Sequence, residues 1–195
     1  YDLPLPSSLP PSLLELNAQI PASCYLSDAA LDFPSLSAFQ KAANYLAAAQ
    51  IYLRSNVLLH EKLDAKRDLK PRLLGHFGTC PGLIFAYAHI SALIGRHEAK
   101  WMEEGSDDSL QRRFLFVTGP GHGAPAILAC FYLEGSISHF YPEEAITQQG
   151  LQNFVKAFSW PNSVHPSHVN ASTPGAIHEG GGECAALRTR WKEGI

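Results

Sequence analysis

The sequence lacks the features that would place it in several large classes of protein. No apolar run approaches the roughly 18 residues of a membrane-spanning helix, and the formal net charge of −3 leaves no basic excess. We therefore expect neither a membrane nor a nucleic acid as partner. No Gly-x-Ser-x-Gly or Gly-x-x-x-x-Gly-Lys-[Ser/Thr] pattern occurs, which argues against a serine-hydrolase elbow and a phosphate-binding P-loop.

Cysteine is sparse and scattered. The four cysteines, Cys24, Cys80, Cys130 and Cys184, lie far apart and none belongs to a Cys-x-x-Cys pair. This spacing favours the reduced thiols of a cytoplasmic protein over a disulfide framework. Cys80 and Cys130 lie within apolar patterns, so we expect buried, unreactive thiols there rather than nucleophiles.

What the sequence does have is enough apolar material for one domain, with 195 residues of which 46% are hydrophobic. Residues 1–36 are rich in proline and predict an irregular arm. From residue 37 an amphipathic helix is predicted by an apolar stripe with spacings of three and four. Its members are Phe39, Ala42, Leu46, Ala49 and Leu53.

Further helices follow from the same kind of evidence. Pro81 suits the first turn of an almost wholly apolar, buried helix, and Gly95 suits its end. A last helix is predicted from about Thr147 to Phe158 by apolar residues at Leu151, Phe154, Val155 and Phe158.

The centre of the chain, Phe114–Ala126, predicts a strand, a glycine-rich turn and a helix in succession. Four apolar residues are followed by Gly-Pro-Gly-His-Gly and then by a helical pattern closed by Gly135. In α/β proteins such turns hold phosphates, because glycines allow backbone N–H groups to approach an anion at a helix start. The fold class expected is therefore α/β, with an active site on this turn.

Two specific alternatives arise here. Gly119, Gly121 and Ala124 fit the Gly-x-Gly-x-x-Gly/Ala pattern of nicotinamide-dinucleotide enzymes, with Glu143 or Glu144 at about the distance of the ribose-binding acid. Against it, both glutamates follow Pro142, as acids in the first turn of a helix do. A zinc site is the other alternative, from ligands scattered over flexible loops. Its members would be His165, His168, His178 and Cys184.

Three histidines stand out as a group: His76, His122 and His168 all lie on predicted loops, each beside glycine or proline. Singly, each histidine is better explained by capping or packing. Together they would offer several neutral imidazoles that donate, accept and move protons near pH 7, as a polyhydroxylated, phosphorylated substrate requires.

Four motifs in order resemble the N-terminal part of phosphoketolases, thiamine diphosphate enzymes related to transketolase. They are Ala43-Asn44-Tyr45-Leu46 with Gln50–Arg54, Gly75-His76-Phe77-Gly78-Thr79, Gly119-Pro120-Gly121-His122-Gly123, and Pro166-Ser167-His168 with Thr173–Gly181. The resemblance implies a transketolase-like cofactor domain, incomplete here, with a mostly parallel sheet flanked by helices. It places this domain at residues 37–183 and leaves 184–195 as a divergent tail.

The resemblance also implies an activity and a set of site residues. The family cleaves xylulose 5-phosphate, or fructose 6-phosphate, with inorganic phosphate to give acetyl phosphate and an aldose phosphate. By motif match, His76, His122 and His168 would be catalytic, and His76, Ser167 and His168 would bind the sugar phosphate. The cofactor would contact Gly119, Gly121, His122, Gly180 and Gly181.

The chain also departs from the family. Phe77 replaces a usual tryptophan, and beyond Cys184 the sequence no longer follows the family pattern, so the aspartate and asparagine that hold Mg²⁺ are absent. We therefore expect a truncated phosphoketolase that is inactive alone and needs missing C-terminal domains or a second subunit. The alternative is a non-catalytic interaction fragment that pairs with a full-length copy through its uncovered apolar faces.

Overall fold

The computed structural model describes residues 33–103, 116, 118–170 and 172–174, with only the helix backbone for 97–103. Most of the proline-rich arm, three of the four residues of the expected central strand, and the tail from residue 175 lie outside this described part. None of its helices is long and apolar enough to cross a membrane.

The first helix, α1, runs from Phe33 to Tyr52 and confirms the predicted apolar stripe. It begins four residues before the expected start at residue 37, with Pro34 in its first turn, where a missing N–H is harmless. The buried side is rich in small residues, which allow neighbouring helices to approach closely. Its members are Phe39, Ala42, Ala43, Leu46, Ala47, Ala49, Gln50 and Ile51.

A loop with one short helix, α2 (Ala65–Asp68), leads to α3, Cys80–Glu103. Pro81 lies in the first turn of α3, as predicted, but the prediction that Gly95 ends the helix is wrong. Gly95 is buried within α3, since one glycine costs only about 1 kcal/mol in a helix interior. The expectation of a helix buried on all sides is also wrong, because three large apolar side chains of α3 are exposed. They are Phe85, Ile90 and Leu93.

The second half of the described chain is built from short helical segments. A 3₁₀ turn at Gly121–Gly123 leads directly into α4, Ala124–Leu133, and Gly135 follows with φ +85°, the left-handed conformation predicted for the end of this helix. Then come α5 (Ile137–Phe140), a second 3₁₀ turn (Pro142–Glu144) and α6 (Gln148–Ala157). Thr147 caps α6 by accepting the Gly150 N–H at 2.9 Å.

The core is a helix–helix core with α1 at its centre. Helix α1 packs against α3, α4 and α6, and α3 packs against α4. Helix α4 is buried almost throughout, and both α1 and α4 carry buried alanines, small residues that allow two helices to pack closely. Large side chains from α6 and its C-terminal end fill the remaining space, chiefly Leu151, Phe154, Val155 and Phe158.

The expected mostly parallel sheet is contradicted. Within the described residues there is no strand, and extended pairing is limited to one isolated antiparallel bridge between Leu53 and Leu69. The sequence itself offered a single strand candidate, Phe114–Val117, and one strand cannot form a ladder without a partner. In the described part, the apolar faces of the helices are instead buried against other helices.

Candidate active site

The three histidines singled out in the sequence meet around one open cleft. His76, His122 and His168 line a space of about 640 Å³, within the usual size range of small-molecule sites. The rings of His76 and His122 meet edge to face, with 5.4 Å between their centroids. Residues separated by up to 92 positions, from 76 to 168, are thus brought to one place.

The His76 loop is fixed from below by a glycine. Gly75 has φ +128°, a conformation that favours glycine, and a Cβ there would lie 2.9 Å from Ile51 Cγ1 and 3.1 Å from Phe158 Cε1. The backbone therefore rests directly on the end of α1 and on Phe158. On the other side, the His76 carbonyl accepts a hydrogen bond from Cys80 Sγ at 3.3 Å. The loop is therefore held at Gly75 and at the His76 carbonyl, while the His76 side chain stays exposed.

The His122 turn packs directly onto α3. A Cβ on Gly123 would lie 2.2 Å from Leu83 Cδ1, so a larger residue would require the Leu83 side chain to move. Gly119, by contrast, has open space on the side where a Cβ would lie. Beside it, Thr118 Oγ1 is buried and has no hydrogen-bond partner among the described residues. The start of the turn thus combines space with an unused polar group.

The His168 segment is tied to the same turn by its backbone. The Val169 N–H donates to the Gly121 carbonyl at 2.9 Å, and Ser167 Oγ lies 3.0 Å from His168 Nδ1. Ser167, expected from the sequence to contact substrate, thereby helps to orient the His168 ring.

The structure adds site residues that the sequence reasoning did not name. Tyr52, Phe77, Gly78 and Thr79 also line the cleft. Tyr52 is the last residue of α1 and is 42% exposed, a large fraction for an aromatic side chain. A signal was available in the sequence, because Tyr52 falls off the apolar stripe of its helix.

The alternative metal and dinucleotide residues behave differently. His165 is buried, and its Nε2 lies 2.7 Å from Glu144 Oε2. The two side chains therefore bind each other instead of a zinc ion or a ribose. His178 and Cys184 lie outside the described residues, as do Gly180 and Gly181. Within the described part no group of three or more His, Cys, Asp or Glu side chains could hold a metal ion.

The two thiols in the described part of the chain, Cys80 and Cys130, are not suited to act as nucleophiles. Cys80 and Cys130 are free and buried, as expected from the apolar patterns around them. Burial raises the pKa of Cys80 to about 11, and burial, together with Glu134, raises that of Cys130 well above its usual range. Both thiols are therefore protonated at neutral pH.

Glycine-bounded loops that gather three imidazoles at an open cleft are typical of a site for a polar small molecule. The comparison with known proteins is more specific: the family described as "XFP N-terminal domain" matches residues 26–190. The chain belongs to this family, which confirms the resemblance to phosphoketolases and, with it, membership of a family of lyases.

Three curated relatives illustrate the similarity. A "Probable phosphoketolase" of Schizosaccharomyces pombe is 44% identical over 177 residues, covering 91% of this chain and 19% of the relative. A "Probable phosphoketolase 2" of Rhizobium meliloti is 46% identical over 75% of this chain and 17% of the relative. A "Probable phosphoketolase" of Mycobacterium avium is 44% identical over 86% and 19%. The chain thus spans about a fifth of the length of these relatives.

Proposed function

We propose that this chain supplies the histidine wall of a phosphoketolase active site. The reaction would cleave xylulose 5-phosphate, or fructose 6-phosphate, with inorganic phosphate to acetyl phosphate and an aldose phosphate. The observation that carries the proposal is the convergence of His76, His122 and His168 on one cleft in a member of this family. A ketose phosphate presents several hydroxyl groups, which neutral imidazoles can bind and deprotonate near pH 7.

The three histidines would divide the work according to their surroundings. His76, exposed on its clamped loop, and His168, oriented by Ser167, would hold substrate hydroxyl groups. His122 lies edge-on to His76 at the glycine-rich turn, where it would face both substrate and cofactor. Because each ring sits on a separately fixed backbone segment, their spacing is set before a ligand arrives, which lowers the cost of ordering the site.

The residues at the turn fit a diphosphate group. Gly119 leaves open space, Thr118 Oγ1 offers a buried donor without a partner among the described residues, and Gly121 begins the 3₁₀ turn ahead of α4. Backbone N–H groups at a helix start favour an anion. Bound thiamine diphosphate would supply the nucleophilic carbon that adds to the ketose carbonyl. Gly180 and Gly181 complete the proposed cofactor contacts, and Mg²⁺ would require ligands from other parts of the protein.

We further propose that the isolated chain is inactive. The cleft is open to solvent, and this chemistry requires a reacting centre from which water is excluded. The remaining domains of a full-length phosphoketolase, or a second subunit, would close it. The cytoplasm, where sugar phosphates are metabolised, is the proposed location.

One observation favours a second, non-catalytic role. Phe85, Ile90 and Leu93 expose apolar surface on α3, and such surface is typical of an interface. The chain could therefore pair with a full-length copy. Size-exclusion chromatography of an equimolar mixture tests this: co-elution supports pairing, and independent elution removes it. For the alternative of a nicotinamide dinucleotide, Glu144 is engaged by His165, so the ribose-binding acid would have to be the exposed Glu143.

The decisive experiment is a chimera. The matching 177 residues of the S. pombe relative are replaced by those of this chain, and acetyl phosphate production from xylulose 5-phosphate is measured. We expect an active chimera that loses at least about 100-fold in kcat/KM on His76→Ala, His122→Ala or His168→Ala. His139→Ala, on an exposed residue of α5, is the matched control and should retain activity. Full activity in the His76→Ala chimera would contradict the proposal.

Cofactor binding is tested separately on the isolated chain. Isothermal titration with thiamine diphosphate and Mg²⁺ measures whether the glycine turn alone suffices for binding, and an acetyl phosphate assay measures turnover. Turnover by the isolated chain would contradict the proposed inactivity.

A further inference from the structure

Glu144 and His165 form a buried pair close to the site but outside the cleft lining. Their side chains are 3% and 1% exposed, and His165 Nε2 lies 2.7 Å from Glu144 Oε2. A carboxylate only accepts hydrogen bonds, so His165 Nε2 carries the proton and donates it. Burying two ionisable groups is costly unless they satisfy each other. A buried ionisable pair of this kind is therefore expected to have a role other than packing.

The His165 backbone is fixed as firmly as its ring. Its carbonyl accepts the Ser159 N–H at 2.6 Å, and its own N–H donates to Ser163 Oγ at 3.2 Å. Three residues further on is His168, and Val169 is bound in turn to the Gly121 carbonyl. His168 thus lies on a short span between two fixed points.

The segment that carries Glu144 also contacts the chain around His168 at a second point. The Tyr141 hydroxyl donates to the Ser172 carbonyl at 2.6 Å, and the Tyr141 ring meets the His165 ring edge-on, with centroids 4.9 Å apart. Residues 141–144 therefore contact the His168 segment on both sides of His168, through His165 and through Ser172.

The pair is only half satisfied. His165 Nδ1 is buried and has no hydrogen-bond partner among the described residues. The hydrogen bond from Nε2 to Glu144 is therefore the single polar attachment of the ring among the described residues. Removal of the Glu144 carboxylate would leave both ring nitrogens buried without a hydrogen-bond partner there.

Among the described residues, the side chains that pack against the pair from neighbouring elements are uncharged. Tyr132 of α4 donates to the Ala145 carbonyl beside the pair, and burial, together with Glu144, raises its pKa far above neutral. Burial and Glu144 also raise the pKa of Tyr141. Helix α6 contributes the uncharged ring of Phe154, and Glu143 is exposed.

We propose that Glu144 and His165 are positioning residues for His168: their buried hydrogen bond sets the place of the His168 segment. The consequence for catalysis rests on the proposed function, but the positioning itself does not. A readout other than activity therefore separates failure of this inference from failure of the proposed function.

The test uses the full chain, with amide hydrogen exchange at Val169 and the NMR signals of histidine-labelled protein. In Glu144→Leu, where His165 loses its acceptor, we expect Val169 to exchange at least about tenfold faster and the His168 signals to shift while those of His76 stay in place. Phe39→Ala is the control for lost stability, because Phe39 lies 13 positions before Tyr52 on α1, about 20 Å from the cleft. The proposal would be overturned if Glu144→Leu and Phe39→Ala, at equal loss of stability, changed the Val169 exchange rate and the His168 signals equally.

A second variant covers the case in which Glu144→Leu does not fold. Glu144→Leu/His165→Leu replaces the pair by apolar groups, a change that is often neutral for stability. Because the double variant keeps the packing but lacks the hydrogen bond, we expect Val169 to exchange at least about tenfold faster than in the original chain and the His168 NMR signals to shift. Unchanged Val169 exchange and unchanged His168 signals in the double variant would overturn the proposal.

Discussion

The two sides of the cleft are anchored by buried ionisable groups of different kinds. Beneath the His76 side, the Lys70 amine donates to the carbonyls of Gln50 at 2.6 Å, Val155 at 2.9 Å and Phe158 at 2.5 Å. All three of its donors are used. Beneath the His168 side, His165 uses one ring nitrogen and leaves the other without a partner among the described residues.

The difference shows that a buried polar anchor can use all of its hydrogen-bonding groups or leave one of them unused. As an ammonium group, Lys70 joins the last turn of α1 to the end of α6, where carbonyls without intrahelical partners attract a cation. Its three donors hold two helices together. The half-used His165 holds a surface segment through one hydrogen bond. Three predictions sharpen this contrast, from the largest effect to the smallest.

Removing the Lys70 amine should have the largest effect. Lys70→Met leaves three buried carbonyls without their donor, so we expect a loss of about 3 kcal/mol in the free energy of unfolding. Urea denaturation measures it. Lys62→Met, at an exposed position of the loop before α2, should change stability by less than about 0.5 kcal/mol. Equal effects of the two substitutions would show that Lys70 anchors nothing.

Adding one methyl group beneath His76 should have the next largest effect. Gly75→Ala forces a left-handed φ on alanine and a contact with Ile51 and Phe158, so we expect a loss of about 2 kcal/mol and shifted His76 NMR signals. Gly78→Ala, on the other side of His76, meets nothing within 4 Å and is the matched control. A Gly75→Ala chain as stable as Gly78→Ala would contradict the proposed clamp.

The pH dependence of stability should report on the buried Lys70 amine. Burial lowers the pKa of Lys70 to about 7, below the value of about 10.4 expected in the unfolded chain. Between these values the unfolded state binds more protons, so stability rises with pH. Relative to Lys70→Met, we expect the original chain to gain on the order of 1 kcal/mol between about pH 7 and about pH 9. A difference in stability that does not change with pH would contradict this.

Local patterns were sufficient for most of the helices. The stripe from Phe39 to Leu53 predicted α1, Gly135 predicted the end of α4, and Thr147 preceded α6 as its cap. Each of these three features depends on contacts between residues that are close together in the chain, so it can be recognised in the sequence. The end of α3 was missed at Gly95 because tertiary packing outweighs the small helix penalty of one glycine.

The sheet was inferred by resemblance and from one candidate strand, and pairing between strands is not a local property. In the described residues, alanine-rich faces on α1 and α4 pack helix against helix instead. The same limit applies to the site, where the histidine loops could be recognised from the sequence. The position of Tyr52 off the apolar stripe indicates an exposed side chain, but its place in the cleft depends on the tertiary structure.

The sequence by itself determined the family, the helices with clear stripes and caps, and the identity of the histidine loops. Only the tertiary structure decided that His76, His122 and His168 share one cleft, and that Lys70, Glu144 and His165 lie buried beneath it. The reason is physical. Helix periodicity and glycine conformation are set by neighbours along the chain, whereas burial of a charge depends on partners up to 88 positions away, as between Lys70 and Phe158.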